Sequence, residues 1–385
     1  MSSSTVVLFG ATSYLGQYVL DDLLERGYRV LAVTRNPAVS EILLYPWKDR
    51  ITVIAPDQLG AAGEAAAVLN LAYIKVEKPH RLIQQNALLM QRVHDAAVRL
   101  GAARLVHVST QAVFGYKFEE PPRPMRAVRR AGDAYVESKV HAELLLEKLQ
   151  SGARHRLDIV RLGNIVGEGS PGWTANLAQR LIDGRPVGID GRDGYSNAAF
   201  APNIASYLGH LVDTPTSSRG EFGQYHHFAD LSALRWSAIV ARYADAVGVA
   251  PVLAAPIAPP ARATLRPALA RTLGMVYKGP IGRVTRRSLA RVSAIDAAID
   301  AAIFETKTAL GAGLAVDPFE VPQDRDLLAI LSSEHEFRPH VVSDWTRPVA
   351  NDEALDRMAR WIVEAGFAIP SVSPHSAQPG RAAAP

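Results

Sequence analysis

Six short apolar runs, spaced by helical or turn-rich sequence, occupy the first half of this 385-residue chain and restrict its fold more than any other feature. They fall at 5–9 (TVVLF), 29–34 (RVLAVT), 51–55 (ITVIA), 67–72 (AVLNLA), 104–109 (RLVHVS) and 156–161 (RLDIVR). Helical patterning is clearest over 16–26, 81–100 and 132–150. Within 81–100, Leu82, Ile83, Leu88, Leu89, Val93, Ala97 and Leu100 keep a helical period. Strands alternating with helices imply βαβ units and a parallel sheet. Strands that are apolar along their whole length fit a sheet covered on both faces. The expectation is an α/β fold built on a doubly wound parallel sheet.

Beyond about residue 165 the pattern loosens. The spacing predicts helices at 173–183, 202–213, 235–247, 294–310 and 352–366. The stretch "GIDGRDGYSN" reads as turns, and "APIAPPARATLRP" interrupts regular structure. The expected organisation is a dinucleotide-binding domain over 1–165, of the Rossmann type. A smaller substrate-binding region over 166–370 is interleaved with the end of the sheet, and a disordered Pro/Ser/Ala-rich tail covers 371–385.

With 48% hydrophobic and 21% charged residues the chain can bury a large core. The absence of cysteine excludes disulfides, thiolate metal sites and cysteine nucleophiles. There is no basic leader, and no apolar run approaches the ~20 residues of a membrane helix, so a cytoplasmic protein without membrane contact is expected. The net charge is only +4, although Arg outnumbers Lys 34 to 8. One region concentrates that charge. From Ala246 to Ala294 there is no acid, while Arg262, Arg266, Arg271, Lys278, Arg283, Arg286, Arg287 and Arg291 fall inside it. Such a region suits a phosphate-bearing or carrier-bound small-molecule substrate, but equally a solvated helix face or an oligomer contact, which leaves a homodimer open. No recognition-helix pattern accompanies it, so nucleic acid is not expected. The 11 His are scattered, and the adjacent His226 and His227 project to opposite sides of a strand, so no metal site is expected.

The first run leads into "GATSYLG", where Gly10, Ser13 and Gly16 occupy a G-x-x-G-x-x-G spacing with serine in the middle. The turn follows a strand and opens a helix, the context a phosphate-cradling turn requires. Gly10 permits the tight turn. Backbone N–H groups of Thr12, Ser13, Tyr14 and Leu15 would face a pyrophosphate, aided by the helix dipole, and Gly16 would let the helix approach the sheet. The Ser13 hydroxyl could add a donor. An ordinary strand–helix turn is the competing reading. Arg35, after the second run, stands where a dinucleotide fold selects between ribose forms. A guanidinium there suits the 2′-phosphate of NADP better than the bare hydroxyl of NAD, unless it is simply a solvated loop charge. Asp57, past the third run, could bond the adenine amino group.

"DAYVESKVHAELL" places Tyr135 and Lys139 four residues apart, on one helical face. A neighbouring ammonium lowers the pKa of a phenol, which otherwise titrates too high to act as a base at neutral pH. Upstream, Thr110 closes the fifth run, at the end of the sheet where ligands bind in doubly wound folds. Its hydroxyl could bond a substrate carbonyl, or merely stabilise a turn.

Taken in order, "GATSYLG", "VLNLAY", Asn86 in "QQNALLMQRVHDAA", "VHVSTQAVFG", "YVESK" and "IVRLGNIVGEG" resemble an extended short-chain dehydrogenase/reductase of the NAD-dependent epimerase/dehydratase type, over roughly residues 5–245. The resemblance implies an NAD(P)-dependent enzyme with Tyr135 as catalytic acid/base, Lys139 as ribose anchor and Thr110 polarising the substrate oxygen. It also implies that Leu71, Ala72, Asn86 and Leu162 serve the cofactor side. Leu162 stands where the family usually has proline, and Asn203 where it commonly has aspartate. Gln111 and Ala112 replace the Asp–Glu pair that dehydratases carry after the threonine, which argues against sugar dehydration. Three readings remain: an NADP-dependent reductase or dehydrogenase, favoured by Arg35; a nucleotide-sugar epimerase with retained cofactor; and a non-catalytic NADP(H)-binding sensor or scaffold.

Overall fold

In the computed structural model, residues 4–61, 64–76, 78–114, 134–216, 222–255 and 324–367 are described. The expected helix at 294–310, the break after residue 255, most of the basic region and the tail from 371 lie outside them.

Seven strands form one parallel sheet: β1 (Thr5–Phe9), β2 (Arg29–Val33), β3 (Ile51–Ile54), β4 (Ala67–Asn70), β5 (Arg104–Thr110), β6 (Arg156–Leu162) and β9 (Phe222–Phe228). Their order is β3-β2-β1-β4-β5-β6-β9, so the winding reverses between β1 and β4. In such sheets the crevice beyond the carboxyl ends of the strands at this reversal receives ligands. The doubly wound expectation holds. Residues of β1, β4 and β5 alternate between two buried layers, which is why these runs are largely apolar; the buried exceptions Asn70 and His107 bond each other.

One layer holds α1 (Tyr14–Glu25) and, later in the chain, α6 (Ala201–Asp213). It buries Val6, Leu8, Val106, Val160 and Phe228 against Leu20, Leu23, Tyr207 and Leu208. The other holds α3 (Pro79–Arg99) and α4 (Ala134–Gln150), and buries Val7, Val68, Leu105 and Ile159 against Met90, Val93, Ala97 and Leu146. A short α2 (Pro37–Leu43) joins β2 to β3, whereas β3 reaches β4 through a single 3-10 segment, Pro56–Ala61.

After β6 the chain leaves the main sheet. β7 (Asn164–Val166) pairs in parallel with β8 (Ala198–Phe200), and between them the chain makes a π turn at Pro171–Ala175 and α5 (Asn176–Ile182). The single helix expected over 173–183 is thus two pieces. α7 (Trp236–Val247), α8 (Asp324–Leu331) and α9 (Asn351–Glu364) complete a separate core around Phe200, Trp236, Tyr243, Leu327 and Met358. Asn203 ties these parts together. Its amide donates to the Val349 carbonyl at 2.9 Å and accepts from the Val349 N–H at 3.0 Å, while also donating to Asp230.

The sequence reading missed β9, whose "FGQYHHF" carries two histidines and a glutamine. In the structure His226 turns to one layer, bonding Tyr207 and Asp158, and His227 turns to the other, stacked on Phe337 at 4.4 Å. Buried polar partners, absent from a hydropathy pattern, make this a strand.

Candidate functional site

Gly10 follows β1 with φ +90°, and a Cβ there would lie 2.8 Å from the Ala72 nitrogen and 2.9 Å from the Leu71 carbonyl carbon. Leu71 and Ala72 therefore press against the turn from the β4 side, closing the reversal crevice from both strands. Asn70, at the last position of β4, accepts from the Ala72 N–H at 3.1 Å and bonds His107 Nδ1 at 2.9 Å, which fixes that loop.

Ser13 is the N-cap of α1. Its Oγ accepts from Gly16 N–H at 3.0 Å and donates to the Gly10 carbonyl at 2.8 Å. The expected phosphate donor is thus spent inside the turn. What remains for an anion are the N–H groups of Tyr14 and Leu15, which no helical carbonyl can reach at the first turn. Thr12 sits in the turn between Gly10 and Ser13. Gly16 has a role other than the expected one: a Cβ there would collide with the carbonyls of Gly10 and Ala11, so the glycine lets the helix close on the turn itself rather than on the sheet. Leu15 sends its side chain into the core.

Arg35 and Asp57 line one cleft of about 510 Å³ together with Phe9, Pro56, Leu59, Arg92, Asp95, Ala96 and Arg99. The structure therefore joins the two residues that the sequence placed after different strands. Arg92, Asp95 and Arg99 come from α3, and nothing in their spacing distinguished them from a solvated helix face.

Asn86 is buried and fully engaged. Its Oδ1 accepts from Ile74 N–H at 3.0 Å, and its Nδ2 donates to the carbonyls of Ile74 and Leu82 at 2.8 and 2.9 Å. It anchors the segment after Ala72 rather than facing a ligand. Leu162 likewise points into the α1/α6 layer and is 2% exposed, so its side chain does not line the crevice.

Thr110 closes β5, half-buried, with Oγ1 accepting from Ala112 N–H at 3.2 Å; its hydroxyl hydrogen can still be donated. Tyr135 and Lys139 lie in the first turns of α4. The Lys139 ammonium is buried and donates to the Val108 carbonyl at 3.2 Å. Burial draws its pKa down to about 8, against the opposing charge of Glu143. Tyr73, at the end of the quoted "VLNLAY" run, was not among the expected site residues. Its ring packs edge-on against Tyr135 at 5.5 Å, lies 5.3 Å from Lys139 Nζ, and its hydroxyl is 3.3 Å from Ser138 Oγ.

One helical turn past Lys139, Glu143 accepts from Ser109 Oγ at 2.5 Å and from Arg161 Nη2 at 2.8 Å, all three groups buried. The Arg161 guanidinium sits 4.0 Å over the Tyr225 ring. This pair locks α4 to β5 and β6 and so sets where Tyr135 and Lys139 stand. Among the described residues no cluster of three metal-ligating side chains occurs, and no helix is long and apolar enough to cross a membrane.

The Gly10 turn, the two N–H groups of α1 and the Arg35–Asp57 cleft all follow the carboxyl ends of β1, β2 and β3, and their chemistry fits the pyrophosphate and adenosine ends of a dinucleotide.

Several solved structures share this fold. MoeE5 in complex with UDP-glucuronic acid and NAD is 17% identical, covers 94% of this chain and 100% of its own, and superposes with a TM-score of 0.57. A UDP-glucuronic acid 4-epimerase from Bacillus cereus, in complex with UDP-glucuronic acid and NAD, is 12% identical over 94% of this chain and 99% of that one, with a TM-score of 0.58. WbmG of Bordetella bronchiseptica, bound to NAD and UDP, is 13% identical over 95% and 97%, also at 0.58. A chloroplastic divinyl chlorophyllide a 8-vinyl-reductase of Zea mays is 57% identical over 35 residues, which is 9% of each chain. Residues 6–193 match the NAD dependent epimerase/dehydratase family. The first half of the chain is thus similar in sequence to the NAD dependent epimerase/dehydratase family.

Proposed function

We propose that this protein is an NADP-dependent reductase or dehydrogenase acting on a carbonyl or alcohol, with Tyr135 as its proton donor and acceptor. The observation that carries the reading is the buried Lys139 ammonium one turn from Tyr135. A positive charge in that position favours the phenolate and brings a high phenol pKa toward neutrality. Thr110, at the carboxyl end of β5, donates its free hydroxyl hydrogen to the substrate oxygen and holds it for proton transfer. The pyrophosphate rests on the N–H groups of Tyr14 and Leu15, Arg35 takes the 2′-phosphate and Asp57 the adenine amino group. When bound, the nicotinamide supplies the hydride donor or acceptor.

A second reading is favoured by a specific observation. The solved structures that share the fold carry NAD together with UDP or UDP-sugars. An epimerase of such a substrate would retain its cofactor through each cycle. Arg35 in place of an acid weighs for the reductase.

The two separate in one experiment. Protein purified without added nucleotide is denatured, the released nucleotide is identified, and the native protein is titrated with NADPH and NADH. Little retained cofactor and tighter binding of NADPH are expected. Stoichiometric retained NAD would overturn the reductase reading and make nucleotide sugars the substrates to test.

A further inference from the structure

The cleft that holds Arg35 and Asp57 continues across one face of α3. Among its described residues the β3–β4 connection forms a 3-10 segment and no α-helix, and the cleft opens along the side of α3 next to it. Arg92 and Arg99 stand seven residues apart on that side, two turns along the same face, with Asp95 between them. All three are exposed. Among the described residues neither Arg35, Arg92 nor Arg99 has an ion-pair partner, whereas Asp95 is engaged by Gln91 Nε2 at 2.9 Å. Three guanidiniums thus share one cleft with two carboxylates, and among the described residues none of the three is in an ion pair.

Arg99 has a structural use. It is the last residue of α3, where a cation complements the helix dipole. Arg92 is mid-helix and has no such role. Because α3 starts at the carboxyl end of β4 and runs back toward the start of β5, Arg92 lies about 10 Å nearer than Arg99 to the end of the sheet where Arg35 sits. An adenosine ribose bearing only hydroxyls gives these cations no charge to meet, while a phosphate on that ribose accepts bidentate bonds from them.

We propose that Arg92 is a second phosphate-clamping arginine, acting with Arg35 on the 2′-phosphate of NADP(H). The proposal rests on the NADP reading above and assigns a cofactor-selecting residue on a helix rather than on a strand-end loop.

The test measures binding alone, without substrate, so it does not depend on turnover. Wild type, Arg92→Gln and Arg99→Gln are titrated with NADPH, NADH, 2′,5′-ADP and 5′-AMP at one ionic strength. Glutamine is as good a helix former as arginine, so folding is preserved. Loss of one charge-assisted phosphate contact should weaken NADPH and 2′,5′-ADP about tenfold in Arg92→Gln, leaving NADH and 5′-AMP within about twofold. Arg99→Gln should change all four by less than about twofold. Equal losses for NADPH and NADH, or an unchanged NADPH affinity in Arg92→Gln, would overturn the assignment of Arg92. A wild type that binds both dinucleotides equally would instead overturn the NADP reading beneath it.

Discussion

At the amino end of the sheet, Asp158 of β6 accepts from Arg104 Nη1 at 2.9 Å, Arg156 Nε at 3.2 Å, the Gln224 N–H at 3.2 Å and His226 Nε2 at 3.2 Å. At the carboxyl end, Arg35 has no ionic partner among the described residues, nor has Arg92 in the cleft that it shares, and Lys139 donates only to a carbonyl. The first set is saturated. Burial alone would raise the Asp158 carboxyl, yet His226, Arg104 and Arg156 hold it below the usual carboxylate range. The second set is unsaturated, and it surrounds the crevice where helices begin and backbone N–H groups are exposed. Charge at one end staples β5, β6 and β9; charge at the other is kept available. The difference teaches that a polar group's role here follows from whether the fold completes its bonds, not from its residue type.

Substitutions can break that contrast. Tyr135→Phe should reduce turnover about a thousandfold, within the usual range for removing a general acid/base, while NADPH binding stays near wild type. Parallel measurement of kcat and dinucleotide affinity checks this, and equal losses in both would give Tyr135 a structural role like that of Asp158. Asp158→Asn, at the saturated end, should do the opposite. It strands the buried Arg104, costing about 3 kcal/mol of stability in urea unfolding, with little change in kcat per folded molecule. If stability is unchanged, the amino-end network does not hold the strands.

The smallest effect is the most diagnostic for Lys139. Its folded pKa of about 8 lies below the ordinary 10.5. If Lys139 favours the Tyr135 phenolate as proposed, that charge is present below pH 8 and is lost above it, so turnover should fall by about half near pH 8 and further beyond. Stability should move the other way. Between about 8 and 10.5 the unfolded chain binds the proton and the folded chain does not, so stability rises with pH through that window. A pH–rate profile paired with unfolding midpoints at the same pH values checks both signs. A rate limb and a stability limb running in the same direction would remove Lys139 as their common cause.

Six of the seven sheet strands were legible in the amino-acid sequence because a strand buried on both faces needs a largely apolar run, as in Val6–Phe9 and Ala67–Leu69. The glycine turn was legible for a similar reason: at Gly10 backbone pressed on backbone leaves no room for a Cβ, and only one residue type satisfies that. Tyr135 and Lys139 could be paired because four residues make one helical turn, a local relation. What sequence could not decide was everything that depends on bonds between distant segments. Ser13 was read as facing a ligand, but its hydroxyl closes the turn on Gly10. Asn86 and Leu162 belonged to the expected site, yet three hydrogen bonds and a buried layer, respectively, turn their side chains away from the crevice. β9 is a strand only because Tyr207 and Asp158 are there to meet His226. Arg92 stands in the sequence as one more charge of an amphipathic helix, and only the fold brings it into the cleft with Arg35. Apolar burial and backbone sterics are written residue by residue, so the chain itself specifies them; the completion of a polar group is a property of what the fold brings beside it.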